Sequence, residues 1–350
     1  MSISVLDAQG LLTKKLIAVY KEMPKATTFL SSFFKTFETM TEDVSVAVQR
    51  GSERVAVDVF RFSDGNRNSF DSSTERIIKP PLYNEYLTAN EHRLYMQVVT
   101  AISQGNTTFF RELTADLAQE LMMLRDKIDR AVEIQCAQIL ELGVVSLNTL
   151  TDIDYKRKAA SLVVYNVAND FSVGTVDPSQ VLGAGCKFIR EKGKAQGGTY
   201  NAIMGESALI ALLDNTIIKS RQLFVQASID SIIAPEKQLD GATFHGILSC
   251  GSYKCRLWTY PEVHELSAGV QTPYINDKKV IILPLQPNFV RAYAAVPQLI
   301  GANGSVPQKG AYLVQEFFNE EKGQHKVSIK AAPIAIPVAI DQIYTIQVLA

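Results

Sequence analysis

Long apolar runs are missing from this 350-residue chain. No stretch approaches the roughly 18 apolar residues needed to cross a bilayer as a helix, which excludes a helical membrane anchor from the reading. The first apolar patch, "LLTKKLIAVY", is broken by Lys14 and Lys15 and has no small-residue cleavage site, so no secretory signal is expected and the chain is read as made and folded in the cytoplasm. An excess of either charge is missing too. With 35 basic and 36 acidic residues the formal net charge is -1, without the basic balance of a dedicated nucleic-acid binder. Cysteine is scarce: positions 136, 186, 250 and 255 show no framework spacing and read as reduced thiols. The four histidines, at 92, 245, 264 and 325, stand alone, without the i,i+4 spacing that puts two imidazoles on one metal.

What is present is apolar and regularly spaced. At 47% hydrophobic and 20% charged residues the chain can bury a large core, as two domains or as one with long extensions. In "TFLSSFFKTF" the residues Phe29, Leu30, Phe33, Phe34 and Phe37 recur at spacings of one, three and four, which predicts one face of a helix that must be covered. Val44, Val46 and Val48, then Val55, Val57 and Val59, alternate around a polar turn at Arg50–Arg54 and predict paired strands. The segment "SDGNRNSFDSSTER" has Phe70 as its one large apolar residue and is expected to project as a loop. Pro80 and Pro81 then impose an extended backbone on the residues before them.

From Phe109 to Leu142 there is neither glycine nor proline, and Leu113, Leu117, Leu121, Leu124, Ile128, Val132, Cys136 and Ile139 recur every three or four residues. This predicts a long amphipathic helix, supported by the i,i+4 pair Asp126 and Arg130 and capped by Gly143. At 1.5 Å per residue it would run about 50 Å, so its domain is expected to be elongated. In "IAIPVAIDQIYTIQVL" one parity stays apolar from Ile334 to Val348, broken by Gln342; this reads as a very long strand in which Pro337 forces an edge, a bulge or a change of partner. Between these elements "NAIMGESALIALLDNTIIKSRQLF" reads as helix-rich, "TFHGILSC" and "YKCRLWTY" as strands about a Gly251–Ser252 turn, "KKVIILPL" as a buried strand and "GANGSVPQKGAY" as a loop.

No pattern carries chemistry. "LGAGCKF" offers Gly183 and Gly185 but has Phe188 where a dinucleotide fingerprint needs glycine, and Gly193–Lys194 lacks the glycine and hydroxyl of a phosphate loop. Cys250 and Cys255 flank a turn and read as buried thiols, Cys186 lacks a nucleophile signature, and Asp152 and Asp154 read as capping or strand-bounding residues. No catalytic residue, cofactor or metal is expected.

The ordered set "ATTFLSSFFKTFETMTEDVSVAV", "IIKPPLYNEYL", the long helix, "DPSQVLGAGCKFI", "NAIMGESALIALL", "INDKKVIILP" and "KAAPIAIPVAIDQIYTIQVLA" resembles the lambda-type phage major capsid proteins, the major capsid protein E family, over nearly the whole chain. The resemblance implies an α+β coat-protein fold of the Hong Kong ninety-seven type. It implies an N-terminal arm at 1–40, an extended loop with its flanking strands at 41–92 and a peripheral domain with the spine helix at 93–182. An axial domain follows at 183–325, and a final strand at 326–350 returns to the peripheral domain. The implied function is the structural head protein of a tailed double-stranded DNA phage, which assembles into pentamers and hexamers of an icosahedral shell. Its implied partners are further copies of itself, packaged DNA by weak nonspecific contact, and decoration, scaffolding, portal and maturation-protease proteins. Under this resemblance Phe29, Leu30, Phe33, Phe34 and Phe37 dock partly on a neighbouring subunit; the alternative is that they close their own core. Lys79 invites comparison with cross-linking phages, but no motif supports a cross-link. Rival readings are an encapsulin-like shell that loads protein cargo, a phage tube or baseplate component, and a cytosolic enzyme with a site assembled from Cys186, His245 and His264.

Overall fold

The stretch without glycine or proline folds as one helix, Phe109–Glu141, in the computed structural model. The structure describes residues 26–49, 73–90, 109–148, 150–224, 236–237, 240–267, 269–299, 304–319 and 324–350. Along the helix the expected apolar face is buried at Leu124, Ile128, Val132, Cys136 and Ile139. Gly143 ends it: its φ of 79° lies in the left-handed region, and its N–H donates to the carbonyls of Gln138 and Ile139.

The helix packs on three sheets. Towards its middle, Leu124 and Ile128 share a core with Ile329, Ala331 and Leu87, residues of an antiparallel sheet ordered Leu313–Asn319, Gln324–Ala331, Tyr83–Asn90. Further on, Val132, Cys136, Ile139 and Leu140 join the largest core of the molecule.

That core lies against one face of a seven-stranded mixed sheet. Its order is Leu162–Val163, Tyr344–Gln347, Lys279–Pro284, Thr199–Met204, Tyr253–Thr259, Thr243–Cys250 and Glu236–Lys237. Alternate residues divide between two cores. Ile203, Trp258, Ile281 and Leu283 join the long helix, while Ala202, Met204, Leu257, Val280 and Ile282 pack with Leu182, Cys186 and Ile189 of the helix Pro178–Glu191 and Leu209 and Leu212 of the helix Glu206–Asp214. A sheet covered on both faces needs apolar side chains at every position, which is why "KVIILP" reads as a continuous run. A third sheet pairs Phe34–Glu38 in parallel with Phe289–Tyr293, which pairs antiparallel with Pro333–Ile336.

Several expectations hold and several change. The hairpin about Gly251 forms with Cys250 opposite Tyr253. The apolar parity at the end of the chain is two strands, not one: Pro333–Ile336 belongs to the three-stranded sheet and Tyr344–Gln347 to the central one, with a 3-10 turn at Ile340–Gln342 between them. Pro337 marks the change of partner. The expected loop "GANGSVPQKGAY" contains the strand Ser305–Gln308, paired with Val296–Leu299; its cross-strand hydrogen bonds override a loop-like composition. Val44–Gln49 pairs with Ser73–Ile78, so the end of the polar segment is strand, while Val55, Val57, Val59 and residues 63–72 lie outside the described residues. "NAIMG" is the strand Thr199–Met204 and is followed by two helices, Glu206–Asp214 and Thr216–Phe224. "LGAGCKF" lies inside the helix Pro178–Glu191, which starts with proline and is capped by the Asp177 carboxylate accepting from the Ser179 N–H.

Candidate functional site

Among the described residues of the arm, 26–40, no α-helix forms. Ser31–Phe33 form a single 3-10 turn and Phe34–Glu38 continue as the parallel strand. The reason lies a hundred residues away, at Glu133 on the long helix. Its carboxylate is fully buried and accepts the backbone N–H of Leu30 at 2.6 Å and of Ser31 at 2.9 Å. Two N–H groups at the start of a helical turn have no partner within the turn, and the carboxylate satisfies both. Tyr260 donates its hydroxyl to the same carboxylate at 3.1 Å and shares a second hydrogen bond with the Thr27 hydroxyl. The segment from Thr27 to Ser31 is thereby held between the helix and the end of the strand Tyr253–Thr259.

Apolar contacts complete the anchorage. Phe29 lies with its ring centroid 5.5 Å from those of both Trp258 and Tyr260, and Phe33 meets it edge-on at 5.3 Å. Phe34 packs on Phe289 at 5.1 Å. Phe29, Leu30 and Phe34 are buried within the subunit and Phe33 is partly buried. For these residues the core-closing alternative describes their place in the subunit. Phe37, on the opposite side of the strand, is 57% exposed, and Met40 beyond it is 73% exposed.

Burial pushes the Glu133 carboxyl up from 4.5 to about 7, because removing the charge from water outweighs the donors gathered round it. Two residues on, Gln135 performs the neutral counterpart: its amide donates to the Tyr83 hydroxyl at 3.0 Å and accepts the Ala335 N–H at 3.2 Å. Glu133 and Gln135 together fasten the arm and the strand Pro333–Ile336 to the spine. Neither was singled out by the sequence. The available signal was two polar residues flanking the apolar stripe in "VEIQCAQIL".

The far end of the helix is tied by Arg157, whose guanidinium donates to the carbonyls of Leu140 at 3.0 Å and Glu141 at 3.3 Å, to Ser161 Oγ and O at 3.0 and 2.9 Å, and to Thr345 Oγ1 at 2.9 Å. Burial lowers it to about 9, which leaves it cationic at neutral pH. It sits where the negative end of the helix dipole favours a cation.

The scattered residues of the enzyme reading have separate neighbours. Cys186 is fully buried with its sulfur 3.4 Å from that of Cys255, and hydrogen bonding with the Cys186 and Cys250 thiols, together with burial, pushes the Cys255 thiol far up, the environment of an inert cysteine. His245 bonds Thr259 through Nε2 at 2.7 Å, and His264 lies against the Tyr274 ring at 4.8 Å. Among the described residues no three histidine, cysteine or acidic side chains are grouped to hold a metal, and no helix is long and apolar enough to cross a membrane. Asp152 accepts the Leu147 N–H at 3.0 Å and Asp154 the Lys156 N–H at 2.7 Å, in local turns. Lys79 forms an exposed ion pair with Glu42.

The sequence matches the model of the phage major capsid protein E family over residues 13–348. The chain belongs to the phage major capsid protein E family. Members are structural proteins of the virion shell, not enzymes. No curated protein matches the sequence. A solved structure assigned as the capsid protein of a prophage of E. coli CFT073 is similar over 97% of this chain and 98% of its own, at 12% identity and a TM-score of 0.57. That likeness shows the fold, the phage coat-protein fold of the Hong Kong ninety-seven type. The mature capsid protein of bacteriophage PhiM1 (8% identity, 93% and 88% covered, TM-score 0.48) and the SrpI encapsulin of Synechococcus elongatus PCC 7942 (11%, 100% and 96%, 0.48) score lower and decide nothing. Family membership favours the capsid reading over the encapsulin one.

Proposed function

We propose that this capsid-family chain is the head subunit of a tailed double-stranded DNA phage, assembling in the host cytoplasm into pentamers and hexamers of an icosahedral shell. The observation that carries the reading is the family match along residues 13–348. The near-zero net charge is consistent with a lining that touches DNA weakly and nonspecifically. Scaffolding, portal, decoration and maturation-protease proteins are proposed as further partners.

The proposed parts keep the expected boundaries: arm 1–40, loop region 41–92, spine-helix domain 93–182, axial domain 183–325 and returning strand 326–350. The pairing of Leu313–Asn319 with Gln324–Ala331 crosses the last boundary, so the two final parts are joined through a shared hairpin. Of the five arm residues proposed for assembly, Phe37 is the one whose side chain is open to a neighbour; Phe29, Leu30, Phe33 and Phe34 support such a contact by fixing the strand that presents it. Obligate interfaces gather exposed apolar groups of this kind.

Electron microscopy of the purified chain, with light scattering for its mass, tests the reading. Rings of five or six copies or closed shells are expected. A chain that stays monomeric even when co-expressed with the proteins encoded beside it would overturn the proposal.

A further inference from the structure

The carboxylate that anchors the arm does so without a charged partner. Among the described residues no cation forms an ion pair with Glu133. Its contacts are two amide N–H groups and one phenol. The titratable and charged groups around it are Cys136 on its own helix, Tyr260 and Tyr274 with Glu262 from the segment after the central-sheet hairpin, Arg130 towards Tyr274, and Arg291 from the strand Phe289–Tyr293. The docked arm contributes hydroxyls and amides but no ionisable side chain: Thr27, Thr28, Ser31 and Ser32 are its polar residues there. The arm also contributes Phe29, Leu30 and Phe34 to the core that holds Val132 and Cys136 on the same helix, so lifting the arm takes away two of the three donors on Glu133. Contacts that one segment supplies to a buried carboxyl couple its proton to the position of that segment.

We propose that Glu133 is a proton-linked latch: docking of residues 26–34 over it takes up a proton, and rising pH loosens the arm from the spine helix. The direction follows from linkage. A carboxyl near 4.5 when the arm is lifted and near 7 when it is docked binds more protons in the docked state between those limits, so docking weakens as pH rises through the window and is constant above it. From about pH 5.5 to about pH 8.5 the docking constant falls on the order of 30-fold.

Hydrogen exchange of the Leu30 and Ser31 amides in the full chain, corrected for intrinsic exchange, reads this directly. The expected result has two parts: protection well below that of the core strand Lys279–Pro284, as local lifting requires, and a decline on the order of 30-fold across that pH range. In Glu133→Gln, whose side chain has no proton to release, the decline disappears. Wild-type protection that is flat or increases with pH overturns the proposal, whether or not the variant folds. Protection equal to that of the core strand overturns it as well, because the arm then opens only with the whole subunit. A decline that persists in Glu133→Gln assigns the proton to another group and has the same consequence.

Discussion

Replacing Arg157 with alanine tests how the spine helix is joined to the central sheet. The guanidinium makes five hydrogen bonds in a partly buried site and bridges the last carbonyls of Phe109–Glu141 to Thr345 on the strand Tyr344–Gln347. Alanine leaves the carbonyls of Glu141 and Ser161 without this donor, while Leu140 keeps the Thr345 hydroxyl at 2.8 Å. Each buried acceptor left unmet costs about 1–3 kcal/mol, and water entering the vacated space recovers part of that. The lost helix-end charge adds about 0.5–1 kcal/mol. Arg157→Ala is therefore expected to destabilise the subunit by about 3–5 kcal/mol, and Arg157→Lys, which restores the charge but not the planar fork, by about half as much. Urea denaturation followed by circular dichroism measures both. An alanine variant within about 1 kcal/mol of wild type, or a lysine variant no better than alanine, refutes the reasoning.

Further predictions concern the arm, one close contact and the assembled shell. Glu133→Gln should lose the pH dependence of the wild type: between 4.5 and about 7 the folded wild type holds a proton that the unfolded chain has released, so its stability falls as pH rises through that window, while the variant is lower by about 1–3 kcal/mol at acid pH because its NH2 faces the Leu30 or Ser31 N–H. Denaturation of both proteins at pH 8 and below pH 4.5 checks it, the wild type alone changing between the two. Phe37→Ser should leave denaturation within about 0.5 kcal/mol of wild type and reduce ring or shell formation in sedimentation, whereas Phe34→Ser should cost about 3 kcal/mol or more by emptying a core site. Gly205→Ala places a methyl 2.3 Å from the Asp277 Cα and is expected to cost over about 3 kcal/mol, seen as a lowered denaturation midpoint, because backbone must yield. Boiled in detergent, assembled particles should run as single chains of 38.6 kDa; ladders of multiples would show a cross-link.

What was legible in the sequence was what neighbouring residues decide among themselves. The spine helix could be read because its apolar stripe runs without a breaker to Gly143, and the hairpin because Gly251 stands between two apolar strands. The arm misled because Phe29, Leu30, Phe33, Phe34 and Phe37 fit a helical period by coincidence. Their conformation is set by Glu133 and by pairing with Phe289–Tyr293, and sequence separation hides both. Phe37 was legible as an apolar residue but not as the exposed one, since that depends on which side of a strand meets the core. Arg157 gave no local sign: its partners are carbonyls and hydroxyls, which any sequence supplies.

The placement of Tyr344–Gln347 has a consequence for the timing of biosynthesis. It lies inside the central sheet, between Leu162–Val163 and Lys279–Pro284, so a nascent chain lacking it exposes the hydrogen-bonding edge of Lys279–Pro284. The ribosome must therefore finish residue 347 before that edge closes. Until then that open edge can pair with another chain, so chain order sets how long the subunit is exposed to misassociation.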